Sequence, residues 1–112
     1  MGISARAQST ALGTVVSVSG EVDGGSAAVF EELLLRATRA HRRPLLLDLS
    51  GIDVMDCAGL AALITIRNLA AARDCALRVI AASSAVRTLA GATGAPHILD
   101  EIRGPAAPEM TF

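Results

Sequence analysis

A short, almost wholly apolar run at residues 45–49, Leu-Leu-Leu-Asp-Leu, constrains the fold of this chain most strongly. Continuous apolar runs of this length are typical of strands that are buried on both faces of a sheet. Pro44 directly precedes the run, where a preceding helical stretch has to end. We therefore predict a central strand at residues 45–49, with helical segments before and after it.

Further segments have the composition of strands. Residues 15–19 are rich in β-branched side chains and partly alternate, so they predict a strand that ends at Gly20. Residues 20–25 are expected to form a turn, and residues 4–11 a weaker preceding edge strand. Residues 76–81 predict another strand, and residues 97–102 a final short one.

Apolar periodicity predicts three helices between these strands. Ser26 is expected to cap the first helix, and Glu32 and Arg36 to form an i, i+4 pair on its exposed side. The apolar positions of this helix are Phe30, Leu33, Leu34 and Ala37. A second helix follows a predicted loop at residues 50–56. Its apolar positions are Leu60, Leu63, Ile64, Leu69 and Ala70.

Ser83 or Ser84 is predicted to cap the third helix, and Gly94 and Pro96 to end it. The apolar side of this helix carries Val86, Leu89, Ala90 and Thr93. Strands that alternate with helices favour parallel pairing with right-handed crossovers. We therefore predict a single α/β domain at residues 10–102, an N-terminal segment or edge strand at residues 1–9, and a flexible tail at residues 103–112.

Composition excludes several functions. The net charge is −1, and Trp and Tyr are absent, so neither a basic surface nor a stacking platform for nucleic acid is expected. No apolar run approaches the roughly 20 residues that span a bilayer. The N-terminus lacks the apolar region of a signal peptide, so we expect a cytoplasmic protein. A helix between Cys57 and Cys75 would separate them by about 27 Å, too far for a disulfide.

Residues 45–60 resemble the STAS family, whose best-known members are anti-sigma factor antagonists. The family signature is an apolar strand ending in Asp-Leu-Ser, a short loop, and Asp-Ser-Ser/Thr-Gly-Leu at the start of a helix. Gly-Glu-Val-Asp at residues 20–23 is similar to the Gly-Glu-Leu-Asp of the family. Val-Arg-Thr-Leu at residues 86–89, followed by Gly94, is similar to its Val-Arg-Arg-Leu and Gly. The likeness extends over residues 10–102.

The resemblance implies a mixed, mostly parallel sheet of four to five strands, with three to four helices mainly on one side. It also implies a partner, an anti-sigma factor with a serine-kinase fold, whose capture frees the sigma factor. In the family, that kinase phosphorylates the second hydroxyl residue of Asp-Ser-Ser/Thr-Gly. The aligned residue is Ala58, which has no hydroxyl group. We therefore expect a protein that phosphorylation does not switch.

The expected contact surface joins two loops and the start of the second helix. Its residues are Asp23, Gly24, Gly25, Asp56, Cys57, Ala58, Gly59 and Leu60. Asp56 is also expected to cap the helix, and Asp23 could equally be an ordinary turn residue. Cys57 is a candidate redox site, because thiolates are favoured at helix N-termini, or simply a small residue in place of serine. Asp48 is expected to organise loop amides.

Other functions have weaker support. Asp48, Asp53 and Asp56 lack EF-hand spacing, and no His or Glu completes a shell, so we expect no metal and no cofactor. No catalytic triad or phosphate-binding loop is present, so we expect no enzyme activity. An accessory subunit of a lipid-transporter ATPase complex and a part of a larger signalling scaffold are alternatives. A weak homodimer is left open.

Overall fold

Four strands and three helices form the part of the protein that a computed structural model describes, residues 2–40 and 44–94. In chain order they are β1 Ile3–Thr10, β2 Gly13–Val22, α1 Ala27–Ala40, β3 Leu45–Met55, α2 Cys57–Ala72, β4 Leu77–Ala82 and α3 Ser84–Ala92. The strands form one sheet in the order β1-β2-β3-β4. β1 is antiparallel to β2, and the other neighbours are parallel. The predicted mixed α/β fold is confirmed.

One face of this sheet carries the core. Val16, Leu47 and Val79 lie side by side on the three parallel strands, and all are buried. On the opposite face, Ser17 and Asp48 are neighbours and only half-buried. α1 and α3 both pack against α2 and against the sheet. The three helices therefore cover the apolar face, as the resemblance implies.

The amphipathic pattern of α1 is confirmed by its packing. Phe30 and Leu34 are fully buried, and their burial stabilises the helix on the sheet. The predicted pair between Glu32 and Arg36 is present on the exposed side, with 3.1 Å between Arg36 Nε and Glu32 Oε2. The first helix thus follows the 3.6-residue period that its sequence indicates.

Two strands are longer than predicted. β2 continues through Gly20 to Val22, and β3 continues to Met55 where we expected a loop. Register shifts after Ser17 and after Gly20 let the two strands stay paired. Gly20 has a φ of +117°, and a Cβ on it would collide with the carbonyl oxygen of Gly2. The glycine therefore permits close packing inside the strand instead of ending it.

The expected cap of α1 is also wrong. The Ser26 hydroxyl donates to the carbonyl oxygen of Glu21 at 2.8 Å, so it points back towards β2. Asp23 takes the capping role, since its Oδ1 accepts from the backbone N–H groups of Gly25 and Ser26. Of the two serines expected to cap α3, Ser83 is the cap. Its Oγ accepts from the N–H of Val86 at 3.3 Å.

The predicted strand at residues 97–102 and the predicted tail at residues 103–112 lie outside the described residues. Within the described part of the chain, no helix has the length and apolarity needed to cross a membrane.

Candidate functional site

The start of α2 is attached to the end of β2. Asp56 is the N-cap of α2, and its Oδ1 accepts from the backbone N–H of Gly59 at 3.1 Å, as predicted. The backbone N–H of Asp56 donates to the carbonyl oxygen of Val22, also at 3.1 Å. These bonds satisfy backbone groups that a helix N-terminus would otherwise leave unpaired. They hold the first turn of α2 against the preceding strand.

Gly59 makes this attachment possible. A Cβ on Gly59 would lie 2.6 Å from Val22 Cγ1 and 3.0 Å from the Val22 carbonyl oxygen. A Cβ would also lie 3.1 Å from Met55 Cγ. Because these distances are shorter than ordinary contact, only glycine lets the helix lie so close to β2.

The loop at residues 23–25 is held by a second capping aspartate. Asp23 Oδ1 accepts from the N–H of Gly25 at 3.0 Å and from the N–H of Ser26 at 3.2 Å. The Asp23 carbonyl oxygen accepts from the N–H of Ala27 at 2.7 Å, which begins the helical bonding of α1. Two aspartates thus close the turns that open α1 and α2.

These two turns are neighbours. A Cβ on Gly24 would lie 3.9 Å from Asp56 Oδ2, so the loop at residues 23–25 reaches the start of α2. Their exposed residues are Asp23, Gly24, Gly25, Cys57 and Ala58, and Asp56 is half-buried. We call these six residues the two-loop surface. Because four of them are small, the surface presents backbone groups and two carboxylates rather than bulky side chains.

Two residues of the expected contact surface lie beneath it. Gly59 is buried, and Leu60 is 4% exposed in the core. Both residues therefore help to fix the position of the helix start, and neither offers surface to a partner. Sequence reasoning missed Val54 of β3, which pairs with Glu21 of β2. Val54 has 46% of its surface exposed. The sequence predicts a loop at residues 50–56, so no strand alternation indicates the direction of the Val54 side chain.

Asp48 lies apart, on the open face of the sheet. Its Oδ1 accepts from the N–H of Ser50 at 3.0 Å and from the Ser50 hydroxyl at 2.6 Å. Its Oδ2 accepts from the Ser17 hydroxyl at 3.4 Å. The predicted role of organising a backbone amide is confirmed at Ser50.

Among residues 2–40 and 44–94, no three His, Cys, Asp or Glu side chains are grouped as a metal site would require.

The two cysteines have different environments and no disulfide joins them. Cys57 is exposed in the first turn of α2. Cys75 is buried, with 7% of its surface exposed. Only Cys57 presents its thiol on the two-loop surface.

Comparison with known protein families agrees with this geometry, because the STAS domain model matches residues 3–105. The chain belongs to the STAS domain family. A protein of known structure, an anti-sigma factor antagonist from Mycobacterium paratuberculosis, is 25% identical and superposes with a TM-score of 0.74. The match covers 88% of this chain and 84% of that protein.

Two SpoIIAA structures share the fold at lower identity. The anti-sigma factor antagonist SpoIIAA in its unphosphorylated form is 13% identical, with a TM-score of 0.66, over 86% of this chain and 85% of that protein. The phosphorylated form of SpoIIAA, described as a Bacillus cell fate determinant, is also 13% identical, with a TM-score of 0.62. That match covers 97% of this chain and 100% of that protein. Comparison with curated protein sequences found no match.

Proposed function

We propose that this STAS domain is a regulatory binding protein of the anti-sigma factor antagonist type. It docks an anti-sigma factor of serine-kinase fold through the two-loop surface, frees the sigma factor and catalyses no reaction. The similarity to an anti-sigma factor antagonist from Mycobacterium paratuberculosis supports the general kind of function. The observation that carries the proposal is the exposure of Ala58 in the first turn of α2, next to the loop at residues 23–25.

The chemistry of this turn explains why a phosphate there would act as a switch. The first turn of a helix carries backbone N–H groups without helical partners, so it tolerates an added negative charge. A phosphoserine carries about −1.5 to −2 charges at neutral pH, which would have to be desolvated under a docked protein. Asp23 and Asp56 already make the local surface acidic. A phosphate would therefore leave the fold intact and weaken docking.

Ala58 offers no oxygen for this reaction, so the proposed protein stays competent to bind in the presence of the kinase and ATP. Its activity would depend on its abundance or on another input. A chain that keeps the two-loop surface and loses the acceptor would act as a permanent antagonist of the anti-sigma factor.

Phosphorylation by the partner tests this proposal. Anti-sigma factors of serine-kinase fold from the source organism are incubated with ATP and either the native chain or Ala58→Ser. The native chain should take up no phosphate, and Ala58→Ser should become phosphorylated and then dissociate. Ala61→Ser, an exposed position one turn further along α2, is the matched control and should remain unmodified. Phosphate at any residue of the native chain, or binding to a transporter ATPase instead, contradicts the proposal.

Cys57 supports a second proposal, a redox input at the same surface. Its side chain is exposed beside Ala58, so oxidation would place a polar or bulky group where the partner docks. Peroxide treatment followed by mass spectrometry and a binding assay tests this input. Oxidation at Cys57 with loss of binding, absent in Cys57→Ser, would support it. An unmodified Cys57 would refute the redox input and leave the antagonist proposal untouched.

A further inference from the structure

An apolar groove lies between β1 and α1, and none of the two-loop surface lines it. Its volume is about 700 Å³. Ala5 and Ala7 of β1 form one wall, and Val29, Leu33 and Ala37 of α1 form the other. Val29, one of the apolar side chains that line the groove, is 58% exposed. This region therefore offers apolar area that another protein surface could cover.

β1 is an edge strand of the described sheet and lies beside the groove. β1 pairs with β2 through all eight of its residues in an unbroken register, and no described strand lies on its other side. Edge strands are usually protected by proline, by bulges or by several charges. β1 has no proline and no bulge, and Arg6 is its only charged residue. Its free edge is therefore suited to pairing with a further strand.

The charges at the groove favour one kind of occupant. Three charged residues line the groove: Arg6 of β1, and Glu32 and Arg36 of α1. Glu32 and Arg36 lie one helical turn apart with exposed side chains and form an ion pair at 3.1 Å within their own helix. A second α1 in antiparallel orientation would place Arg36 opposite Glu32, and Glu32 opposite Arg36. A two-fold axis between two copies makes both the two β1 strands and the two α1 helices antiparallel to each other. The symmetry that pairs the helices therefore also permits antiparallel β1 pairing. The Glu32–Arg36 pair is therefore complementary to a second copy of itself, and the two pairs can exchange partners across the axis.

We propose that a second copy of this chain covers the groove. The two β1 strands pair antiparallel across a two-fold axis, and the four-stranded sheets become one continuous sheet. The two α1 helices lie side by side in opposite directions, with Glu32 of each copy facing Arg36 of the other. The small side chains of Ala5 and Ala7 let the helices approach above the joined strands. No residue of the two-loop surface takes part, so each copy keeps its own docking site.

Charge reversal tests the arrangement in the full-length chain without any partner protein. Sedimentation velocity over a concentration series should show a monomer–dimer equilibrium for the native chain. Glu32→Arg and Arg36→Glu should each weaken dimerisation at least tenfold, because like charges then face each other twice. An equimolar mixture of the two variants should restore the dimer, since each copy then meets two opposite charges. The mixture thus separates a direct contact from damage to the fold.

Two further variants complete the test. Val29→Asp should weaken the dimer at least tenfold, because it places a charge in the apolar part of the interface. Glu31→Arg, an exposed charge reversal on α1 outside the groove, should leave the equilibrium unchanged. Circular dichroism and thermal melting verify that each variant is folded. A native chain that is monomeric at every concentration overturns the proposal, and so does a dimer that the mixture fails to restore.

Discussion

The first turns of α2 and α3 begin in the same way and end in different environments. Asp56 and Ser83 both have extended backbone conformations, and each side chain accepts from the N–H three residues on. At that third residue the turns differ. Gly59 lets the α2 backbone lie directly on Val22, whereas the Val86 side chain of α3 is fully buried. α2 is anchored by close backbone approach, and α3 by ordinary apolar packing.

This difference shows why capping alone does not make a binding surface. Close approach at Gly59 brings the start of α2 next to the loop at residues 23–25, so two exposed turns become one surface. The start of α3 has an exposed hydroxyl residue, Ser84, and a capping serine of its own. The N–H of Ser83 donates to the carbonyl oxygen of Leu49 at 3.2 Å, so the start of α3 adjoins β3. α3 therefore supplies a matched control for each change made in α2.

The largest expected difference between the turns concerns partner binding. Ala58→Glu should weaken binding of the anti-sigma factor about a hundredfold, roughly 3 kcal/mol, because a charge must be desolvated in the interface. Ser84→Glu adds the same charge to the first turn of α3 and should leave binding unchanged. Either glutamate is favourable at a helix N-terminus, so neither should unfold the protein. Isothermal titration calorimetry measures both affinities, and equal losses would remove the distinction between the turns.

Glycine substitutions sharpen the comparison at the level of stability. Gly59→Ala should lower the free energy of unfolding by about 1–3 kcal/mol, because the new methyl group overpacks against Val22. Gly91→Ala in α3 should raise it by about 0.5 kcal/mol, since alanine is the better helix former and its Cβ meets no atom within 4 Å. Urea unfolding of both variants measures this contrast. A neutral Gly59→Ala would show that α2 does not need the close approach.

The caps themselves should differ least. Asp56→Ala and Ser83→Ala should each cost about 1 kcal/mol of stability, because each leaves a backbone N–H without its acceptor. The cost at Asp56 should exceed that at Ser83 by about 0.5 kcal/mol at low salt, since its charge also favours the helix N-terminus. Added salt should reduce this excess, and thermal unfolding at two ionic strengths measures it. An excess that salt leaves unchanged would contradict the electrostatic explanation.

The sequence predicts local elements well where one segment alone determines them. The period of Phe30 and Leu34 indicates α1, and the i, i+3 spacing from Asp56 indicates the cap of α2. The sequence predicts the end of a strand at Gly20, because glycine is common in turns. In the structure, Gly20 permits the close approach of Gly2, which is distant along the chain and lies just before β1. Such contacts between distant segments leave little local pattern.

The candidate site shows the same division. Its order along the chain follows from the resemblance to the STAS family, and its residues do meet at one place. Burial of Leu60 and exposure of Val54 depend on how far β3 extends, which no local pattern at residues 50–55 indicates. Ser26 and Asp23 are both good capping residues by type. The position of the Glu21 carbonyl, which binds the Ser26 hydroxyl, leaves Asp23 as the cap.

Mapping the partner on the two turns would show whether the two-loop surface is the docking site. Amide NMR spectra of the labelled chain are recorded with and without an unlabelled anti-sigma factor of serine-kinase fold. We expect the amide signals of Gly24, Gly25, Cys57 and Ala58 to shift or broaden, while those of Ser84 and Val86 stay in place. Binding that perturbs the start of α3 and leaves these four amides unchanged would contradict this expectation.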